Sequence, residues 1–135
     1  MKKGSEKKSF EIRIDPKSPV PVYEQIKRAI KFLIISGYLR EGDQLLSIRE
    51  LATKLRVNPN TIVKVYYQLE TEGFIASRPG SMYFVKLDKK RVQKEREETF
   101  RREVEEFVSR IIDMGYTPEE LMKEIEKTLK NKGGK

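Results

Sequence analysis

Residues 45–69 hold two helix-start signals with room between them for only a short turn, and this constrains the chain more than any other feature. Ser47-Ile-Arg-Glu50 has the pattern of a capping box. The Ser47 hydroxyl can accept from the Glu50 N–H, and the Glu50 carboxylate can accept from the Ser47 N–H. Ile48, Leu51 and Leu55 then share one face of the helix that follows. Asn58-Pro-Asn60 opens a second helix, with Asn58 as N-cap and Pro59 at the first helical position, where a missing N–H costs nothing. Arg56 and Val57 are left for the turn. Two helices so joined form a helix-turn-helix, whose second helix can enter a DNA major groove.

Advancing the second helix by about 100° per residue puts Ile62, Val65, Tyr66 and Leu69 on one side, facing a core. Asn60, Lys64 and Tyr67 lie opposite, flanked by Val63 and Gln68. Such a polar face is ordinarily just solvated. The capped helix before it and the local charge favour a binding surface. Residues 1–87 hold 16 Lys/Arg against 9 Asp/Glu, whereas residues 88–135 hold 13 against 12. The net charge of +8 therefore sits mostly with the helix-turn-helix, which suits a polyanion and above all nucleic acid. No segment joins a basic face to a large exposed apolar one, as a membrane-surface helix would.

The chain has no cysteine and no histidine, which excludes disulfides, thiolate chemistry, Cys/His zinc sites and imidazole catalysis. The N-terminus has no apolar signal core, and no apolar run approaches the ~20 residues of a membrane span. The expectation is a cytoplasmic protein with no membrane partner. No nucleophile–base pair, glycine-rich phosphate loop or metal cluster points to an enzyme, and no cofactor or metal site is expected.

In chain order, residues 1–9 read as a basic flexible tail and Phe10-Glu-Ile-Arg-Ile14 alternates as a short strand would. The prolines of residues 15–21 make a connector. A long helix then starts near Pro21, with Val22, Ile26, Ala29, Ile30 and Leu33 as its stripe and Gly37 just past its end. Residues 38–43 read as a loop, and Gly73 stops the second helix of the motif. Two β-prone runs within residues 74–85 flank Arg78-Pro-Gly-Ser81, a hairpin signal. A helix-turn-helix followed at once by a hairpin is a winged helix-turn-helix, here spanning 10–87. Its wing would lie over the phosphate backbone or a minor groove, within reach of Arg78.

A second long helix is expected from about 89 to 114. Phe100, Val104, Phe107, Ile111 and Met114 recur on it at heptad-like spacing, with Val108 beside them. Gly115 breaks it, and Thr117-Pro-Glu-Glu120 is another capping box. The last helix carries Leu121, Ile125 and Leu129 on one face, before a frayed tail at 132–135. Two stripes make a thin core for a lone pair of helices, and left wet they form an apolar patch. The pair, residues 88–131, either folds back on the winged helix or pairs with a second chain. The expected arrangement is a bundle of two chains, built from the nine apolar residues named on these helices. The expected fold is mostly α with a small β-hairpin wing: a winged helix-turn-helix followed by a two-helix C-terminal dimerisation region.

Five segments, Pro21-Val-Tyr-Glu-Gln-Ile26, Ser36-Gly-Tyr-Leu-Arg-Glu-Gly-Asp43, Ser47-Ile-Arg-Glu-Leu-Ala52, Val57-Asn-Pro-Asn-Thr61 and Gln68-Leu-Glu-Thr-Glu-Gly73, resemble the GntR family of bacterial transcription regulators in order and spacing. The Asn-Pro-Asn-Thr helix start and the short two-helix C-terminal region resemble the YtrA-type subfamily, whose members are dimeric repressors, often of transporter operons. The resemblance implies a homodimer on a palindromic operator in double-stranded DNA. It carries DNA contacts to Arg49, Asn58, Asn60, Thr61, Lys64, Arg78 and Gly80. Tyr67 on the outer helix face and Ser81 in the wing turn complete the candidate set. The chain departs from the family pattern at Leu46, where the family usually has proline, and in Pro79-Gly-Ser-Met-Tyr-Phe-Val85, where it usually has Gly-x-Gly-Thr-Phe-Val. Val63 stands where some relatives carry arginine. The reading is a sequence-specific DNA-binding regulator acting as a homodimeric repressor, with no small-molecule effector specified. A winged-helix protein-interaction module and a non-specific nucleic-acid binder stay open beside it.

Overall fold

The computed structural model describes Lys7 and residues 10–133. In chain order the elements are α1 (Val22–Ile35), β1 (Gln44–Leu45), α2 (Ile48–Leu55), α3 (Pro59–Thr71), β2 (Ile75–Arg78), β3 (Met82–Val85), α4 (Lys89–Asp113) and α5 (Pro118–Gly133). They fall into two compact units, Met1–Lys94 and Glu95–Lys135.

The first unit is a winged helix. Ile26, Ile30 and Ile34 of α1 meet Leu51 and Ala52 of α2 and Ile62, Val65, Tyr66 and Leu69 of α3 in one core. Phe74, Ile75 and Val85 close it from the sheet side. The hairpin pairs Ile75 with Val85 and Arg78 with Met82, and β1 adds to its other edge, giving the antiparallel order β1-β3-β2. Two residues suffice for β1 because Leu45 is buried and its neighbours leave at once for the cap of α2. So short a strand leaves no period to read, and sequence pattern alone places only the hairpin.

Residues 10–14 are not a strand. Phe10 is buried and Ile12 and Ile14 lean on the core, so the alternation reflects packing of an extended segment without a ladder. In the expected tail, Lys7 makes a single parallel bridge to Gln44; the rest of residues 1–9 lie outside the described residues. At the other end α5 stays helical to Gly133, into the expected frayed tail at 132–135. Residues 134 and 135 lie outside the described residues.

Gly73 joins α3 to the wing. Its φ of 90° is open to glycine, and a Cβ there would lie 2.9 Å from the Asp88 Cβ. The space is taken because the Asp88 N–H bonds the Gly73 carbonyl at 2.8 Å and Arg91 donates to the Thr71 carbonyl at 2.8 Å. Val92 packs on the core as well. The first turn of α4 is thereby part of the winged-helix unit, which runs to Lys94.

Three charges sit at the α1–α3 contact. The Lys27 and Lys31 side chains are only 11% and 10% exposed, and both pair with Glu72, which caps α3. Burial pushes the Glu72 carboxyl upward, but hydrogen bonds from Lys31 and Lys27 outweigh it and leave its pKa below the usual value. A depressed carboxylate stabilises the fold above its unfolded pKa, and that stability is lost as pH falls through the folded value. Glu72→Gln removes the carboxylate that both nearly buried ammonium groups share, while Lys27 keeps its longer contact with Glu24 at 3.7 Å. It is expected to cost about 1–3 kcal/mol near pH 7, a figure reduced for the partial exposure of Glu72. Denaturant titrations of both proteins should also show a shallower loss of stability below pH 4.5 in the variant; equal slopes and midpoints would refute the role given to Glu72.

Candidate nucleic-acid interface

The start of α2 is fixed by its capping box. The Glu50 N–H donates to the Ser47 hydroxyl at 3.1 Å, and the Ser47 N–H donates to the Glu50 carboxylate at 2.9 Å. Lys7 donates to the same carboxylate at 2.7 Å. Its hydrogen bond, followed by that of the Ser47 N–H, holds the Glu50 carboxyl below its ordinary pKa. Arg49 stands exposed in this first turn.

The turn is closed by two backbone bonds. Arg56 N–H reaches the Thr53 carbonyl at 3.3 Å and Val57 N–H reaches the Ala52 carbonyl at 3.0 Å. This is the Schellman arrangement, with Arg56 at φ 60° in the left-handed position that glycine usually fills. Asn58 then caps α3 by accepting from the Asn60 N–H at 2.8 Å, and Thr61 donates its N–H to the Asn58 carbonyl at 2.8 Å. Asn58 is thus both a surface amide and the residue that orients the first turn of α3.

Tyr66 locks the rotation of α3. Its hydroxyl donates to the Leu46 carbonyl at 2.7 Å, and its ring lies 4.7 Å from that of Tyr83 on β3. Burial, then the nearby Tyr83, pushes the phenol well above its usual pKa, so it remains a donor. The opposite face of α3 carries Asn60, Lys64 and Tyr67 at the surface, with Tyr67 69% exposed. Thr61 is half-buried beside them. Gln68, expected at the edge of this face, is instead half-buried and accepts from Lys27 at 2.9 Å.

In the wing, Gly80 and Ser81 both have positive φ, 87° and 62°, and carry the three-residue turn between Arg78 and Met82. Arg78, Gly80 and Ser81 are exposed. The Arg78 guanidinium lies 4.2 Å over the Phe84 ring, and the Lys64 ammonium lies 3.7 Å over the Tyr23 ring. All nine candidate DNA-binding residues thus lie on the first unit, eight of them exposed and Thr61 half-buried. Tyr23, the aromatic partner of Lys64, lacks any sequence signal, since it lies on α1, far in sequence from Lys64, whereas Phe84 lies on the hairpin strand paired with that of Arg78.

The second unit buries no residue of α5, and α4 buries none along its length. Phe100 is 71% exposed and Leu129 63%. Val104, Phe107 and Met114 are also exposed, and Val108, Ile111, Leu121 and Ile125 are half-buried. The capping box at the start of α5 forms as expected, with Thr117 and Glu120 exchanging bonds of 2.9 and 3.1 Å. A groove between the helices is lined by Phe107, Ile111, Leu121, Ile125 and Leu129, together with Tyr116. Ile112, Tyr116 and Met122 extend the exposed apolar surface beyond the residues that the heptad pattern marks.

Residues 22–85 match the family described as bacterial regulatory proteins, gntR family. The chain is 40% identical over 112 residues to the HTH-type transcriptional repressor YtrA of Bacillus subtilis, covering 83% of this chain and 85% of that protein. The chain belongs to the GntR family. Among solved structures, a GntR family transcriptional regulator from Listeria monocytogenes superposes with a TM-score of 0.68 at 34% identity, over 84% of this chain and 98% of its own. YtrA from Sulfolobus acidocaldarius, a GntR-family transcription factor, gives 0.54 at 37% identity, over 76% and 97%. Family and fold are those of a DNA-binding transcription regulator, not an enzyme.

In this GntR regulator, the turn between α2 and α3 sets the direction of α3. Arg56→Gly relieves a left-handed side chain and is expected to raise unfolding free energy by about 0.5–1 kcal/mol. Chemical denaturation checks it, and a destabilised variant would contradict the geometry assigned to the turn.

Proposed function

We propose that the protein is a homodimeric transcription repressor that binds a palindromic operator through its winged helix. The observation that carries this is the outer face of α3. Asn60, Lys64 and Tyr67 are exposed on it, and the helix has no carboxylate before Glu70. An asparagine can pair with adenine N6 and N7, and a lysine can reach guanine or phosphate. Asn58 and Thr61 support the same first turn, Arg49 supplies a cation at the start of α2, and Arg78, Gly80 and Ser81 present the wing tip to the backbone or minor groove. Residues 10–87 form the DNA-binding part in this reading.

The apolar stripes of α4 and α5 support self-association of residues 88–131. Fully burying a Phe or Leu side chain is worth roughly 1.5–3 kcal/mol; Phe100, Met114 and Leu129 leave most of that unrealised in one chain, and Val104 and Phe107 leave part of it. Val108, Ile111, Leu121 and Ile125 line the same surface. A two-fold dimer matches a palindrome with half-sites spaced by about one helical turn or a multiple of it. Occupying an operator that overlaps a promoter would repress, in keeping with the repressor YtrA of Bacillus subtilis. The resemblance to the YtrA-type subfamily extends the proposal to a transporter operon.

Selection from random duplexes at near-physiological salt tests the proposal. A two-fold symmetric site is expected; half-sites without symmetry would sink the dimer, and bulk salt-sensitive binding alone would leave a non-specific binder or a protein-interaction module. On the selected site, Asn60→Ala should cost about 1–3 kcal/mol and relax preference at one base pair. Arg78→Ala should weaken all duplexes alike and lower the salt slope by about one. Phe107→Glu should shift the sedimentation coefficient to that of a monomer. It should weaken the full palindrome far more than an isolated half-site, and an unchanged dimer would remove these helices from the interface.

A further inference from the structure

We propose that Tyr23 is a positioning residue for DNA binding, acting through Lys64; the inference rests on the reading of α3 as the recognition helix. Lys64 is exposed, and its ammonium lies 3.7 Å from the centre of the Tyr23 ring. No salt bridge to Lys64 occurs among the described residues. Its treatment differs from that of Lys27 and Lys31, which pair with the Glu72 carboxylate at the same α1–α3 contact. A carboxylate holding Lys64 would cancel the charge that a phosphate needs. An aromatic face holds an ammonium by its quadrupole and leaves the full positive charge in place. The side that faces away from the ring keeps N–H donors for a phosphate oxygen or a guanine edge.

Tyr23 is built to stay in place. It lies in the first turn of α1, half-buried against the core, while Ile26 and Ile30 of the same helix are fully buried. Lys64 is a four-carbon stem with large rotamer freedom, and binding DNA must immobilise it. A ring already under the ammonium removes part of that cost before DNA arrives, which is how pre-organisation raises affinity. The wing uses the same device, with Arg78 stacked on Phe84. Tyr23 therefore sets affinity and base preference at the Lys64 contact without being a contact itself.

The first readout is independent of DNA. In the intact protein, the Lys64 side-chain methylene protons should be shifted upfield by the Tyr23 ring in NMR spectra, and Tyr23→Leu should abolish the shift while Tyr23→Phe keeps it. Unshifted Lys64 resonances in the wild type would overturn the proposal. The second is a double-mutant cycle on the selected duplex. Tyr23→Leu is expected to weaken binding about 3- to 10-fold, Tyr23→Phe to restore it, and Tyr23→Leu to add nothing in a Lys64→Met background. Equal losses from Tyr23→Leu with and without Lys64 would make the residue a packing element and overturn the proposal. If Lys64→Met binds as well as wild type, the assignment of Lys64 as a DNA contact falls instead, whatever the NMR result. Melting curves confirm that each variant is folded at the assay temperature.

Discussion

Burial of one face of α3 is the constraint on which the rest of the DNA-binding unit depends. Ile62, Val65, Tyr66 and Leu69 are each at most 1% exposed, so the helix has no freedom to roll. A rotation by one residue, about 100°, would drive Val63 or Lys64 into the core and expose a Leu or Tyr. The Tyr66 hydroxyl adds a directional term, because its bond to the Leu46 carbonyl ties the rotation of α3 to the strand edge that leads into α2. The surface that meets a ligand is therefore defined by the buried surface opposite. Core positions that touch no DNA fix which side chains can.

Features written in neighbouring residues were legible in the sequence. Both capping boxes, Ser47 with Glu50 and Thr117 with Glu120, form as the pattern demands, because each is closed within four residues. The Pro79-Gly80 turn sets the hairpin for the same reason. Features that depend on distant partners were not legible. The strand β1 exists because β3 offers an open edge to Gln44 and Leu45. The alternation of residues 10–14 promises a strand, but among the described residues only Lys7 of the N-terminal segment bridges to the sheet. Gln68 turns away from the outer face because Lys27 on α1 donates to it. Arg56 takes a left-handed conformation without glycine because two backbone bonds of the turn hold it there.

The net charge of the winged helix does not say which of its cations are held away from carboxylates. Lys27 and Lys31 are spent on Glu72, Lys7 on Glu50, and Arg28 on Glu24. What matters for recognition is the subset of cations held by something other than a carboxylate. Lys64 and Arg78 meet that condition through aromatic rings. A cation on an aromatic face is localised yet uncancelled, whereas one in an ion pair must first surrender its partner to bind phosphate.

The C-terminal helices pose the opposite problem, one of too little burial. The exposed aromatic and aliphatic side chains of α4 and α5 share their helices with many charged residues, and α4 is strongly polar overall. Such a composition cannot hide its apolar stripes by collapsing a single thin pair. Charged residues flank those stripes on both helices. Those same flanking charges limit which surfaces can approach, since a partner must supply a complementary stripe of matching width and period. In the proposed dimer a second copy of the same two helices supplies both, because a two-fold axis sets each stripe against its own image. The fold thus divides its hydrophobic residues: those of the first unit are consumed in fixing α3, and many of those of the second stay exposed.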